Sequence, residues 1–430
     1  MIASPVLPGS AARQLIALRR DFHRFPEPAW GEYRTTCCII AELRRLGVPV
    51  VYGPAIHCRE AMYGLPEDDS ADLARAAAED CDPALLAELA GGYTGCVATI
   101  EGARPGRTLA VRVDLDCNTL AECADGDHLP AREGFASCHA GFMHGCGHDD
   151  HAALGVMLAR RLLQRRDDLC GKVKVIFQPA EEGLGGAASM VAAGVLDDVD
   201  VLLGSHIGMG LAPVGAVAAG TRGFLASTKM DVFFHGRGAH AGVCPQEGRN
   251  ALAAAAAAVT NLLAISRTGQ GASRINVGSL VSVAGRNVIP PEAKMSLEVR
   301  GATDEINAYM EDAALRICRA AADMYGCTVD RRIMGRGAAA ESDPALAARV
   351  AEILGRVRGV TEIVPSHDFR ASEDFTAMMR RVQSRGGQAT ELIFGADIAS
   401  PHHSERFDFD EAVLPLALDV LTALAMELGK

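Results

Sequence analysis

From Thr108 to Val217 this chain alternates short β-branched, apolar runs with helical stretches, breaks off near Gly223, and resumes the same alternation after Gly337. Alternation of that kind builds a parallel or mostly parallel sheet covered by helices. The interruption has a pattern of its own. It predicts a strand over Ser227–His235, a helix over Asn250–Leu263, strands over Arg274–Ala284 and Asn287–Gly301, a helix over Asp304–Tyr325 and a strand over Thr328–Met334. The order β-α-β-β-α-β is the ferredoxin-like split unit. The expectation is therefore an α/β protein in which residues 1–222 and 338–430 form one domain and residues 223–337 an inserted α+β domain. A chain of 430 residues is long enough to give each a core.

Ahead of the alternation, helices are predicted over Ala11–Arg24 and Thr35–Leu46, and strands over Val48–Tyr52 and Gly95–Ile100. Between those strands, Ile56–Gly92 is acidic, Ala-rich and helical in propensity, with Pro66 and Pro83 as breaks. The net charge of −12 argues against nucleic acid or an anionic membrane as partner. Thirteen cysteines form no framework spacing, and Met1 to Gly9 lacks the pattern of a secretory signal, which points to reduced thiols in the cytoplasm. The longest apolar run, Ala251 to Val259, is mostly Ala and too short to span a bilayer. No internal repeat is present.

Two segments carry chemistry. Met143-His144-Gly145-Cys146-Gly147-His148-Asp149-Asp150-His151 places a thiol and an imidazole two residues apart, and Phe177-Gln178-Pro179-Ala180-Glu181-Glu182-Gly183 follows about thirty residues later. Taken singly, a Cys-x-His is often a buried thiol beside a surface imidazole, and a Glu-Glu pair a solvated helix end. Their setting argues otherwise. Lys172–Phe177 reads as a strand that Pro179 ends, so Glu181 and Glu182 fall just past a strand's C-terminal end, where open α/β sheets place their sites. Gly145 and Gly147 punctuate a loop before a helical run Ala152–Leu163. His206 follows the apolar run Val201–Ser205, Asp114 and Asp116 end the strand Thr108–Asp114, and His402 and His403 lie in the polar loop Ser400–Phe407. One crevice explains these better than separate coincidences. Thiolate, imidazoles and a carboxylate hold divalent ions, and a second carboxylate is left to handle protons.

In order, these segments and Gly236–Ala241, Asn287–Pro290, Ser372–Phe375 and Phe407–Glu411 resemble the M20 metallopeptidase superfamily, in its amidohydrolase branch. The resemblance covers essentially the whole chain. It implies a metallohydrolase domain with an inserted lid and dimerisation domain, and two divalent ions, manganese or zinc. Cys146, His148, Glu182, His206 and His403 would be ligands, with His402 as the alternative to His403, and Glu181 the general base and later the acid. His240, Asn287 and Arg300 match positions that stabilise the oxyanion or hold the substrate carboxylate, a task that suits the planar fork of arginine. In the family this domain also forms the dimer, and its histidine reaches the partner's site.

The implied activity is hydrolysis of an N-acyl or N-aroyl amino acid with an acidic amino-acid half, by a homodimer or by a hetero-oligomer with a related subunit. Met62–Pro66 and Phe135–Cys138 resemble the members of the branch for which that substrate class is implied. The alternatives are a dipeptidase or carboxypeptidase of the same superfamily, and a silent subunit or binding protein. Two departures alter the wall of the site. Where the branch usually has Asp-Met-Asp-Ala-Leu-Pro, this chain has Asp114-Leu115-Asp116-Cys117-Asn118-Thr119, and Gln246-Glu247 follow Pro245 where many relatives carry a His.

Overall fold

The computed structural model describes residues 9–430, so all but Gly9 of the stretch read for a secretory signal lies outside the described residues. The chain divides into two compact units. One comprises the residues up to Arg222 with Glu341–Phe369 and Asp374–Lys430, the other Gly223–Ala340 with Arg370–Glu373.

An eight-stranded sheet organises the first unit. Its order is Val50–Tyr52, Cys96–Glu101, Cys170–Gln178, Arg104–Asp114, Val201–Ile207, Gln388–Phe394, Ala216–Ala218, Glu362–Val364. The four middle strands, from Cys170–Gln178 to Gln388–Phe394, run parallel to one another. Val201–Ile207 is buried along its whole length, as expected where a parallel sheet is covered on both faces. Helices Gly9–Arg24, His148–Gln164 and Val413–Leu428 pack together over these strands, and Gly186–Ala192 and Phe375–Ser384 form a second group. Leu43, Val111, Leu158, Val175, Leu203 and Leu421 share the resulting core. Because the middle strands point the same way, Asp114, Gln178, His206 and Phe394 all lie at one rim of the sheet.

Three local expectations need correction. Helix His148–Gln164 begins four residues before the predicted run, at a Gly147 whose φ of +92° puts it in the left-handed region that glycine tolerates. His206 lies within strand Val201–Ile207, not after it. The inserted stretch after Ile56 is only partly helical, and Pro83 starts its second helix, Pro83–Leu89, where a break was expected. Proline's fixed φ suits a helix's first turn, and the Asp82 side chain caps it by accepting from Ala84 N–H at 2.9 Å. Among the described residues no helix is long and apolar enough to cross a membrane.

The second unit has a four-stranded antiparallel sheet in the order Thr328–Gly337, Ala226–His235, Glu292–Gly301, Ser273–Val281. Helices Ala251–Leu263 and Asp304–Met324 pack on it. Ala254, Ala255 and Ala258 are fully buried, so the low complexity of that helix reflects close packing against the sheet and its partner helix. Asn250 caps it by accepting from Ala253 N–H at 2.9 Å. Strand Glu292–Gly301 alternates, with Met295, Leu297 and Val299 inward and Ser296, Glu298 and Arg300 outward. It begins after Pro290-Pro291, which lack N–H donors, so the predicted strand from Asn287 is too long and Asn287 stands in a loop.

Candidate metal centre and active site

Six predicted residues meet at the sheet rim of the first unit. The ligand atoms of Cys146, His148 and His206 lie within 4.8 Å of one another, as do those of Cys146, Glu182 and His403, and those of His148, Glu181 and Glu182. Cys146 is common to the first two groups.

Asp116 fixes much of this geometry. Its two carboxylate oxygens accept the backbone N–H groups of Glu181 and Glu182, each at 2.9 Å. Its carbonyl receives Nδ1–H of His148, also at 2.9 Å. His206 likewise donates Nδ1–H to the Ile207 carbonyl at 2.9 Å, and its Nε2 lies 3.5 Å from Cys146 Sγ. A backbone acceptor on Nδ1 selects the tautomer that leaves Nε2 basic, as a metal-binding histidine requires. His148 Nε2 is buried without a hydrogen-bond partner among the described residues, with Glu181 Oε2 at 3.9 Å and Glu182 Oε1 at 4.0 Å. This donor set of one sulfur, three imidazoles and two carboxylates fits divalent cations such as zinc or manganese.

The electrostatics agree. Burial, with His151 and His402 nearby, holds His206 well below the usual histidine range, in its neutral ligand form. Burial also opposes ionisation of Glu182, but the His403 and His148 rings outweigh it and hold its carboxyl at about 2. Hydrogen bonds to Cys146 and Glu182 raise His403 to about 10. Burial and the Glu182 charge push the Cys146 thiol up.

His402 and His403 separate clearly. His403 Nε2 is 3.3 Å from Glu182 Oε1, whereas His402 turns Nε2 to the Ile207 carbonyl at 3.2 Å and packs tilted against Phe407 at 4.7 Å between centroids. Asp114 is also withdrawn from the donor set by its partners, since its oxygens take His151 Nδ1–H at 2.5 Å and Arg112 Nη1 at 2.6 Å. It braces the centre instead.

The second unit carries His240, Asn287 and Arg300, and does not gather them. His240 and Asn287 are exposed neighbours in paired loops, where Ala241 N–H donates to the Asn287 carbonyl at 2.9 Å and His240 Nδ1 accepts from Gly242 and Val243 N–H at 3.2 Å. Arg300 lies at the opposite end of the sheet. Strand register pairs Glu292 with His235 but Arg300 with Ser227, a separation of about 26 Å along the strand. Arg300 pairs with Glu298 at 3.0 Å.

Sequence reasoning missed a buried brace behind His148. Asp149 forms an ion pair with Arg19, whose Nε is 2.7 Å away, and accepts from His23 Nδ1 at 2.9 Å, and Arg19 also donates to Asp408 at 2.8 Å. Its only sequence signal is that Arg19 and His23, four apart, fall on one face of an otherwise amphipathic helix.

Comparison with known proteins adds relatives to this geometry. The sequence profile of peptidase family M20/M25/M40 matches residues 111–427. The chain is 44% identical to one of the subunits of p-aminobenzoyl-glutamate hydrolase from Escherichia coli (strain K12), over 97% of this chain and 96% of that protein. It is also 44% identical to indole-3-acetyl-aspartic acid hydrolase of Enterobacter agglomerans, over 95% and 94% respectively. The crystal structure of an aminobenzoyl-glutamate utilization protein from Klebsiella pneumoniae superposes with a TM-score of 0.82 at 37% identity, covering 97% of this chain and 96% of that one.

Proposed function

Because the chain belongs to peptidase family M20/M25/M40, we propose that it is a metal-dependent amidohydrolase cleaving the amide bond of N-acyl or N-aroyl amino acids with an acidic amino-acid half. The observation that carries this reading is the sharing of Cys146 between two ligand groups, one with His148 and His206, the other with Glu182 and His403. Cys146 with His148 and His206, and Cys146 with Glu182 and His403, would each hold one divalent ion, manganese or zinc. Bound there, the ions supply positive charge that acidifies a water and polarises the scissile carbonyl.

The protein's own groups carry the proton. Glu181, 6% exposed and held by its backbone on Asp116, takes the proton of the attacking water as oxygen adds to the carbonyl carbon. It then delivers that proton to the amine nitrogen as the C–N bond breaks, releasing a carboxylic acid and the free amino acid. To His240 and Asn287 we assign stabilisation of the oxyanion, and to Arg300 the substrate carboxylate. The second unit serves in this reading as lid and dimerisation domain of a cytoplasmic homodimer, or of a hetero-oligomer with a related subunit. All thirteen cysteines are free, in keeping with a reducing compartment.

The test combines elemental analysis with a substrate panel of p-aminobenzoyl-glutamate, indole-3-acetyl-aspartate, simple N-acyl amino acids and dipeptides. Two bound divalent ions and turnover of the aroyl or acyl acidic amino acids support the proposal. Turnover of dipeptides alone would replace it with a dipeptidase, and loaded protein with no turnover of any of them with a silent subunit.

A further inference from the structure

Asn118 stands where the resembling branch usually carries leucine, and it is wired into the metal centre. Its backbone pairs with Met143 in both directions, N–H to carbonyl at 3.0 and 3.1 Å, which ties the end of the Asp114–Asn118 segment to the start of the Cys146 loop. Its side-chain Oδ1 accepts Gly145 N–H at 3.1 Å. The other face of that residue's backbone is used too, since the Gly145 carbonyl accepts His403 N–H at 2.8 Å. Gly145 has no room for more. A Cβ there would lie 2.9 Å from Asn118 Oδ1 and 3.6 Å from His403 Cα.

The circuit closes through Glu182. His403, held at a left-handed φ of +61°, brings Nε2 to 3.3 Å from Glu182 Oε1. The Asn118 side-chain amide in turn lies beside the Glu182 carboxylate. Asn118, Gly145, His403 and Glu182 thus form a ring of contacts around Cys146. The rings of His148 and His206 in the other ligand group take their orientation from the carbonyls of Asp116 and Ile207.

We infer that Asn118 is a positioning residue of the metal centre, fixing the Cys146 loop against the Glu182 carboxylate and so setting affinity for the ion shared by Cys146, Glu182 and His403. The inference rests on the two-ion reading above. An amide can donate to a carboxylate and accept from a peptide N–H at once, whereas leucine can do neither. Hydrogen bonds that orient ligands are typically worth about 10- to 100-fold in metal affinity.

The test is a two-step titration of chelator-stripped protein with Mn²⁺ and with Zn²⁺ at fixed pH, for wild type, Asn118→Leu and Asn118→Ala. Thermal unfolding of each metal-free protein reports the fold. Alanine adds no bulk, so it keeps the test open if leucine does not fit. The expected result is that one binding step weakens about 10- to 100-fold in both variants while the other changes little, with the metal-free midpoint near that of wild type. Unchanged affinity for both ions overturns the inference. So does an equal loss in both steps together with a lowered metal-free midpoint, which marks a residue that only supports the loops. Wild-type protein that takes up fewer than two ions fails the two-ion reading instead.

Discussion

His403 Nε2 stands 3.3 Å from Glu182 Oε1. That approach, with His402 bound to the Ile207 carbonyl, divides the roles of two adjacent histidines. His403→Ala should weaken metal binding by about tenfold or more and abolish turnover. His402→Ala should retain both ions and cost about 1–2 kcal/mol of stability through a lost hydrogen bond and ring packing. Metal titration and denaturant unfolding of the two variants check this, and loss of metal in His402→Ala alone would reverse the assignment.

Glu181→Gln should keep its metal and its fold but lose about 10²- to 10⁴-fold in kcat, because an amide cannot accept the proton of the attacking water. Glu182→Gln should instead lose metal. Elemental analysis beside kinetics distinguishes the two carboxylates.

The Cys146 thiol is raised by burial and by the Glu182 charge, so its proton must leave when an ion binds. Metal uptake by wild type should therefore release protons and strengthen as pH rises. Cys146→Ser should bind less metal and release fewer protons, as read with a pH indicator during titration. Equal occupancy and proton release in the variant would make Cys146 an ordinary buried thiol.

His23 offers a stability prediction away from the ligands. Burial opposes its charge, but hydrogen bonds to Asp149 and Glu122 prevail and raise it to about 9. A raised histidine stabilises the folded state fully below its unfolded value near 6.5, and that contribution disappears as pH climbs through about 9. The difference is about 3 kcal/mol. Denaturant unfolding at pH 6 and pH 9.5 should show wild type losing more stability with pH than His23→Gln. Parallel losses in the two proteins would mean that His23 is neutral in the fold.

Much of this was legible from residue order, and the failures have physical causes. Lys172–Phe177 with Pro179 behind it placed Glu181 and Glu182 at the rim, because a proline-terminated apolar run has few other readings. The helix start at His148 was hidden, since Gly147 enters it with a left-handed φ and no Ser, Thr or Asp cap precedes it. Pro83 read as a break when its Asp82 cap makes it a beginning. Asn118 was visible only as a departure from a pattern, because Gly145, Glu182 and His403 approach it from distant parts of the chain. The separation of His240 from Arg300 depends on strand register, which residue types alone do not set.

That separation gives Arg300 a specific test. If its guanidinium holds the substrate carboxylate, Arg300→Ala should cost about 2–5 kcal/mol in kcat/KM for free-acid substrates and far less for the matching carboxamides. His240→Ala should impair both alike, because an oxyanion forms in either. An equal loss on both substrates in Arg300→Ala would limit Arg300 to its ion pair with Glu298.

The position of strand Gln388–Phe394, between Val201–Ile207 and Ala216–Ala218, has a consequence for biosynthesis. The strands of the inserted unit all lie within Ala226–Gly337 and can pair as soon as they leave the ribosome. The sheet of the first unit has to wait. Until the segment after Gln388 emerges, Val201–Ile207, apolar and destined for full burial, presents an open edge of the kind that pairs with other chains. His403 arrives later still. Nascent chains halted before this point should therefore depend on chaperones, and the metal centre can assemble only near the end of synthesis.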